Sequence, residues 1–258
     1  MSSTLNLRMD AGVATVEFNR PDAYNSRNVE MLDSLPILLR ELGKDDDVRC
    51  IVITGAGNKA FCAGGDISGL VDGNNTPDHS GLVKKLETWG QSSLLLHEMP
   101  KPTLAVVNGA AAGAGMALAL ACDLRIASYS AHFTTAFSKL AMSGDFGGSY
   151  FLTRIVGTAK ARELYFLSDR IDSETASNLG LVNWRVSDDL LAGKAAAISA
   201  RLAALPPLTA RYIKQNLNDS LHKSASEIIR QESSSMIETA MSKETQQAAM
   251  AFFSSSRN

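Results

Sequence analysis

The run from Gly113 to Cys122 contains only glycine, alanine, methionine, leucine and cysteine. It predicts a helix with no polar face, which must be enclosed on all sides by other elements. The helix follows a strand pattern, Thr103-Leu104-Ala105-Val106-Val107, and Gly113-Ala114-Gly115 forms the junction. A second junction of the same kind, Phe61-Cys62-Ala63-Gly64-Gly65-Asp66, follows Cys50-Ile51-Val52-Ile53-Thr54. Each reads as a strand running into a helix whose first turn carries almost no side chains. Free N–H groups at such a turn approach a ligand closely, and the helix dipole favours negative charge there. Two of these turns in one chain point to a pocket for a developing oxyanion.

The rest of the chain predicts an α/β protein. Val13 to Phe18 alternates as a strand, Arg20-Pro21-Asp22 turns the chain, and Asn28 to Leu42 has the apolar spacing of an amphipathic helix. Gly81 to Glu98 predicts a crossover helix stopped by Pro100 and Pro102, and Asp123 to Ala127 a further strand. From Gly147 onward the pattern is helical: Gly147 to Ile155, Ala159 to Leu167, Ser173 to Leu179, Ser187 to Leu205, Leu208 to Leu221 and Ser224 to Phe253. Asp72 to Ser80 reads as a polar surface loop able to close over a ligand, and Ser254 to Asn258 as a disordered end. No internal repeat is evident.

Bulk properties narrow the function. The 258 residues, 45% hydrophobic, are ample for a packed core, and a net charge of −2 without charge blocks argues against nucleic-acid binding. The N-terminus lacks the pattern of a signal peptide and no apolar run reaches membrane-spanning length, so the expectation is a cytoplasmic protein without a membrane partner. Cys50, Cys62 and Cys122 read as reduced core thiols, Cys62 with a packing role. The histidines His79, His97, His132 and His222 show no metal-ligand spacing, so no metal is expected. Nucleotide motifs fail: Leu118 stands where a dinucleotide fingerprint needs its third glycine, and neither a P-loop nor a Gly-x-Ser-x-Gly elbow occurs.

The motifs in order carry more. Arg20-Pro21-Asp22-Ala23-Tyr24-Asn25, Ala60-Phe61-Cys62-Ala63-Gly64-Gly65-Asp66-Ile67, Lys101-Pro102, Val107-Asn108-Gly109-Ala110-Ala111-Ala112-Gly113-Ala114-Gly115 and Asp123 together resemble the enoyl-CoA hydratase/isomerase (crotonase) superfamily. The resemblance runs from about Val13 to Val186. It implies a spiral of ββα units with a helical C-terminal region, acyl-CoA as ligand, no cofactor beyond the coenzyme A of the substrate, and assembly as homotrimers or dimers of trimers. It implies a core over residues 1–200 and an assembly and pocket-covering region over 201–258. By motif position, the N–H groups of Gly65 and Ala114 would form the oxyanion hole, beside Gly113. The adenine end would meet the backbone around Ala63, Gly65 and Ile67, with Ala23 and Tyr24 nearby. Asp66 would bind through its carboxylate or cap the following helix.

The resemblance also bears on the reaction. Hydratases of the superfamily use two glutamates, and the matching positions here are Ala117 and Phe137, neither of which transfers a proton. Ala136-Phe137-Ser138-Lys139-Leu140 and Ser143-Gly144-Asp145-Phe146-Gly147-Gly148 resemble the phenylacetate-pathway isomerase branch, where the matching aspartate is the acid/base. Asp145 also fits an N-cap of the helix after it. One carboxylate suffices for a 1,3 proton shift, with Phe137, and next Phe146, as an apolar wall. Dehalogenase and dienoyl-CoA isomerase chemistry lack their partner residues here. A hydratase-like or ring-forming lyase activity, and a non-catalytic acyl-CoA-binding protein, stay as alternatives. The basic residues Arg211, Lys214, Arg230 and Lys243 read as solvated charges, or as partners for CoA phosphates.

Overall fold

The computed structural model describes residues 3–66 and 79–255. The elements run β1 (Leu5–Asp10), β2 (Val13–Phe18), α1 (Val29–Lys44), β3 (Cys50–Gly55), β4 (Ala60–Cys62), α2 (His79–Glu98), β5 (Thr103–Val107), β6 (Ala110–Ala112) and α3 (Ala114–Ala121). They continue with β7 (Leu124–Ser128), β8 (His132–Thr134), α4 (Gly148–Leu167), β9 (Ile171–Asp172), α5 (Ser173–Asn178) and β10 (Trp184–Val186). The chain ends on α6 (Asp188–Ala203), α7 (Pro207–Asp219), α8 (Ala225–Ala240) and α9 (Lys243–Ser255).

Among the described residues the strands form a six-stranded sheet, ordered β1-β2-β3-β5-β7-β10, and a four-stranded sheet, β4-β6-β8-β9. Successive units β3-β4, β5-β6-α3 and β7-β8-α4 each give their first strand to the large sheet and their second to the small one. The repeat is therefore structural. The second strands are only three residues long, too short to leave a periodic signature in sequence. They also correct the reading of the two junctions: β4 separates β3 from the Gly64-Gly65 turn, and β6 separates β5 from α3.

The central strands β3 and β5 are mostly apolar and almost wholly buried because both faces are covered. Ile51 and Ile53 point to the core shared with α1 and α3, whereas Cys50 and Val52 meet Leu191 and Ala195 of α6 on the other face. In α1 the Asn28 side chain accepts from the Met31 N–H at 3.0 Å, and Met31, Leu35, Leu39 and Leu42 are buried. Helix α3 is buried at every position, as its composition requires. Its last carbonyls are capped by the buried Arg125, whose guanidinium donates to Cys122 O at 2.5 Å and Leu120 O at 3.4 Å.

Other expectations hold or shift locally. The two helical stretches on either side of Gly157 form α4, interrupted at that glycine (φ 77°, ψ 166°). The stretch from Ser224 to Phe253 is two helices, because Ser242 Oγ accepts from the Thr245 N–H at 3.2 Å and starts a new one. Strand β1, which carries no clear sequence signal, pairs antiparallel with β2. Ser80 lies in α2 and Ser254 and Ser255 at the end of α9, while residues 72–78 of the polar loop and 256–258 lie outside the described residues.

Candidate active site

The site is built from three turns. In the first, Tyr24 and Asn25 take left-handed backbone angles (φ 53° and 55°) after the 3-10 turn Pro21–Ala23. The Asn25 side chain offsets this strain: its Nδ2 donates to Ala60 O at 2.8 Å and Ala56 O at 3.0 Å, and its Oδ1 accepts from the Arg20 N–H. The segment then runs beside the second turn. Ala63 N–H donates to Tyr24 O at 3.1 Å, Arg27 N–H to Gly64 O at 2.9 Å, and Asp66 N–H to Arg27 O at 3.0 Å. The Asp66 carboxylate accepts from Arg20 Nη1 at 3.0 Å. Ala23, Tyr24, Ala63, Gly65 and Asp66 are thereby brought together, with the Tyr24 ring exposed. Ile67 lies outside the described residues.

The third turn starts α3. Gly113 (φ 51°) precedes it, and its N–H donates to Thr134 O at 3.0 Å. A Cβ on Gly115 would stand 2.1 Å from Cys62 O, so only glycine lets α3 lie directly on the backbone of β4. This contact presses the second and third turns together. A Cβ on Gly64 (φ 102°) would stand 3.2 Å from Ala112 O and 3.9 Å from Ala114 N, whereas Gly65 faces open space to 4 Å. Among the described residues neither the Gly65 nor the Ala114 N–H has a hydrogen-bond acceptor.

Asp145 sits on a strained segment between Gly144 (φ 111°) and Phe146, a non-glycine residue at φ 51°, which costs roughly 1–2 kcal/mol. It is not the cap of α4. Gly147 occupies that position with no side-chain cap, and Asp145 contributes its carbonyl, accepting from Gly148 N–H at 3.0 Å. The carboxylate is half-buried, and its Oδ1 is enclosed without a hydrogen bond among the described residues. Burial pushes its pKa up, and the Arg27 guanidinium offsets part of that rise.

Phe137 links Asp145 to the start of α3. Its ring lies 3.7 Å from where a Gly113 Cβ would be and 3.6 Å from that of Gly144, and it stacks on Tyr165 at 6.2 Å. Asp145 and Phe146 line a cavity of about 990 Å³ between α2 and α7, with Leu86, Gly90 and Leu94 on the α2 side. Phe137 does not line it, nor do Gly65 and Ala114. The expected ranking of the two aromatic walls is thus reversed for this cavity: Phe137 stands behind, between the two glycine turns, and Phe146 faces the space. Among the described residues no group of three or more His, Cys, Asp or Glu is placed to hold a metal ion. Burial pushes the Cys62 thiol up, in keeping with a packing role.

A family model for enoyl-CoA hydratase/isomerase matches residues 8–258. The chain belongs to this family. It is 39% identical over 212 residues to the 1,2-epoxyphenylacetyl-CoA isomerase of Escherichia coli strain K12, covering 81% of this chain and 80% of that one. The crystal structure of enoyl-CoA hydratase from Bacillus anthracis superposes with a TM-score of 0.92 at 27% identity, covering 98% and 97% of the two chains. A Thermobifida fusca protein solved in complex with acetoacetyl-CoA gives a TM-score of 0.85 at 29% identity, covering 92% and 95%. The fold is the ββα spiral of this family with its helical C-terminal region.

Two basic side chains near the site are buried. Lys214 is not a solvated charge: it pairs with Asp123 at 2.9 Å and donates to Leu96 O at 2.7 Å and Lys101 O at 3.0 Å. Its ammonium is fully used in fixing α7 to the end of α2 and is not available to a phosphate. Lys214→Met is expected to lower stability by about 3 kcal/mol, since it leaves the Asp123 carboxylate without its counter-charge and two carbonyls without their donor. Urea unfolding, read at the transition midpoint, checks this. Arg27 is the second, a guanidinium against the ring of Phe146 at 3.9 Å. Sequence reasoning passed over it, although one signal points there: the stripe Met31, Leu35, Leu39, extended back one turn, falls on Arg27.

Proposed function

We propose that this protein is an enoyl-CoA isomerase that shifts a double bond in an acyl-CoA thioester, with Asp145 as the acid/base. The observation that carries the reading is the state of the Asp145 carboxylate. It has an enclosed oxygen without a hydrogen bond among the described residues, a raised pKa, and an edge on the cavity between α2 and α7. A carboxylate serving only structure would be expected to hold a donor. The positions matching the hydratase glutamates are Ala117 and Phe137, both buried and apolar, so a single carboxylate is left to move the proton.

In this reading the thioester oxygen accepts from the N–H groups of Gly65 and Ala114. Charge then builds on that oxygen as Asp145 removes a proton from the α or γ carbon. The resulting dienolate is reprotonated by the same carboxyl two carbons away. Protons and electrons balance without an oxidant, a metal or water. Ala23, Tyr24, Ala63 and Ile67 take the adenine end, with Asp66 held by Arg20 nearby. Residues 1–200 form the catalytic core. Residues 201–258 serve assembly into trimers or dimers of trimers and cover the pocket, in keeping with the exposed Ile213, Leu217, Ile229, Met236, Ile237 and Met241. Among the described residues no helix is long and apolar enough to cross a membrane, and we place the enzyme in the cytoplasm.

The test is conversion of trans-3-hexenoyl-CoA to its conjugated 2-enoyl isomer, followed by absorbance, together with deuterium uptake from heavy water at the α and γ carbons. Equal rates in wild type and Asp145→Asn would remove Asp145 from the chemistry. Tight CoA-thioester binding without any exchange would favour a binding protein over an enzyme.

A further inference from the structure

We propose that Arg27 is a positioning residue for Asp145: its enclosed guanidinium is the fixed positive charge that keeps the Asp145 carboxyl ionised in the resting protein, ready to accept a proton. The inference rests on the reading of Asp145 as the acid/base and adds to it the group that sets its charge state.

Arg27 is 2% exposed, and its Nε and Nη1 are enclosed without hydrogen-bond partners among the described residues. A guanidinium keeps its proton at any working pH, so burying it demands a negative neighbour. The nearby candidates are few. Arg20 on the same turn is paired with Asp66. The Cys62 thiol adjoins Arg27, but burial keeps it protonated. Asp145 remains, with an enclosed and unpartnered oxygen of its own, next in sequence to the Phe146 ring on which Arg27 rests. The Arg27 guanidinium rests on the ring next in sequence to Asp145 and attracts its carboxylate without closing to an ion-pair contact, and each group has enclosed atoms with no hydrogen bond among the described residues.

The Arg27 side chain is enclosed, so it acts through Asp145 and not on the ligand. Its backbone is also bonded on both sides of Gly65, at Gly64 O and Asp66 N–H. One residue thereby ties the turn that carries the Gly65 N–H to the base. Among the described residues the Tyr165 side chain also lies beside this turn, its hydroxyl pushed up to about 12 by burial and by Asp145 and therefore neutral. Across the cavity stand Glu87, His97 and Glu98 of α2, and Arg211, Lys214 and Asp219 of α7 with His222 just beyond it; Lys214 is committed to Asp123.

The experiment compares the pH dependence of deuterium uptake into trans-3-hexenoyl-CoA for wild type, Arg27→Lys, Arg27→Gln and Asp145→Asn. Uptake rises with pH as the carboxyl ionises. In Arg27→Gln that rise is expected to move to higher pH by about one unit or more. The rate falls at neutral pH and recovers on the alkaline side, while Arg27→Lys stays near wild type. A uniform loss at every pH, with the midpoint unmoved, would overturn the inference and leave the role of Asp145 intact. Undiminished uptake in Asp145→Asn would instead remove the reading on which it rests. A second measurement needs no turnover: the carboxyl carbon resonance of Asp145, assigned by its absence in Asp145→Asn, should titrate at higher pH in Arg27→Gln than in wild type. Coincident titrations would overturn the inference.

Discussion

Asp145→Asn is expected to lower isomerisation and α-proton exchange roughly a hundred- to ten-thousand-fold, the range in which a positioned general base contributes. The substitution keeps the shape of the side chain and removes only its ability to take and return a proton. Binding of the CoA thioester should change little, because the N–H groups of Gly65 and Ala114 and the stitched turn at residues 20–27 are untouched. The loss should therefore appear in kcat and leave KM close to wild type. An unchanged kcat would exclude the proposed role.

The same variant carries a stability prediction of opposite sign. Burial raises the folded-state pKa of Asp145 above the ordinary carboxyl value of 3.8, and this net rise already includes the attraction of Arg27. A carboxyl raised in this way favours the folded state while protonated. That contribution is complete below the unfolded pKa and is lost as pH rises through the folded one. At pH 7 the ionised carboxylate is a net cost, and Asp145→Asn should unfold at a higher temperature than wild type. The gap should narrow as pH falls through the folded pKa and close below about 3, where the carboxyl is protonated in both the folded and the unfolded state. A lower unfolding temperature for the variant at pH 7 would contradict this. The proposed role sets activity against stability at this residue, as at sites where strain and unpaired charge serve chemistry.

Gly115→Ala is the second large expected effect. The added methyl would meet Cys62 O at 2.1 Å, and the obstacle is backbone, not a side chain that can rotate away. Overpacking of this kind costs about 3 kcal/mol, and the start of α3 must retreat from β4 to relieve it. That retreat separates Ala114 N–H from the Gly64-Gly65 turn. A displacement near 1 Å at a reacting group costs about a hundredfold in rate. Gly193→Ala in α6 is the control: nothing lies within 4 Å of its added methyl, and replacing a helical glycine should leave stability equal or higher by about 0.5–1 kcal/mol. Urea midpoints and the exchange rate measure both. Wild-type exchange in Gly115→Ala would show that the contact of α3 with β4 does not set the donor geometry.

Much of this molecule is written in short stretches of its sequence. A helix without a polar face had to be internal, and apolar runs of five or six residues between helices had to be strands covered on both sides. Asn28 to Leu42 had to form an amphipathic helix, and Gly64 and Gly113 had to mark turns that a side chain would strain. These are local demands of backbone angle, periodicity and burial, and residues close in sequence are enough to state them. The order of motifs likewise carried the family. The tertiary structure decided what those elements meet. It set α3 on the carbonyl of Cys62, buried Lys214 against Asp123 from nearly the far end of the chain, and put Arg27 under Phe146 more than a hundred residues away. Whether a charged side chain ends in water or in the core is a property of the surfaces that close over it. Those surfaces come from segments that touch only after the chain has folded.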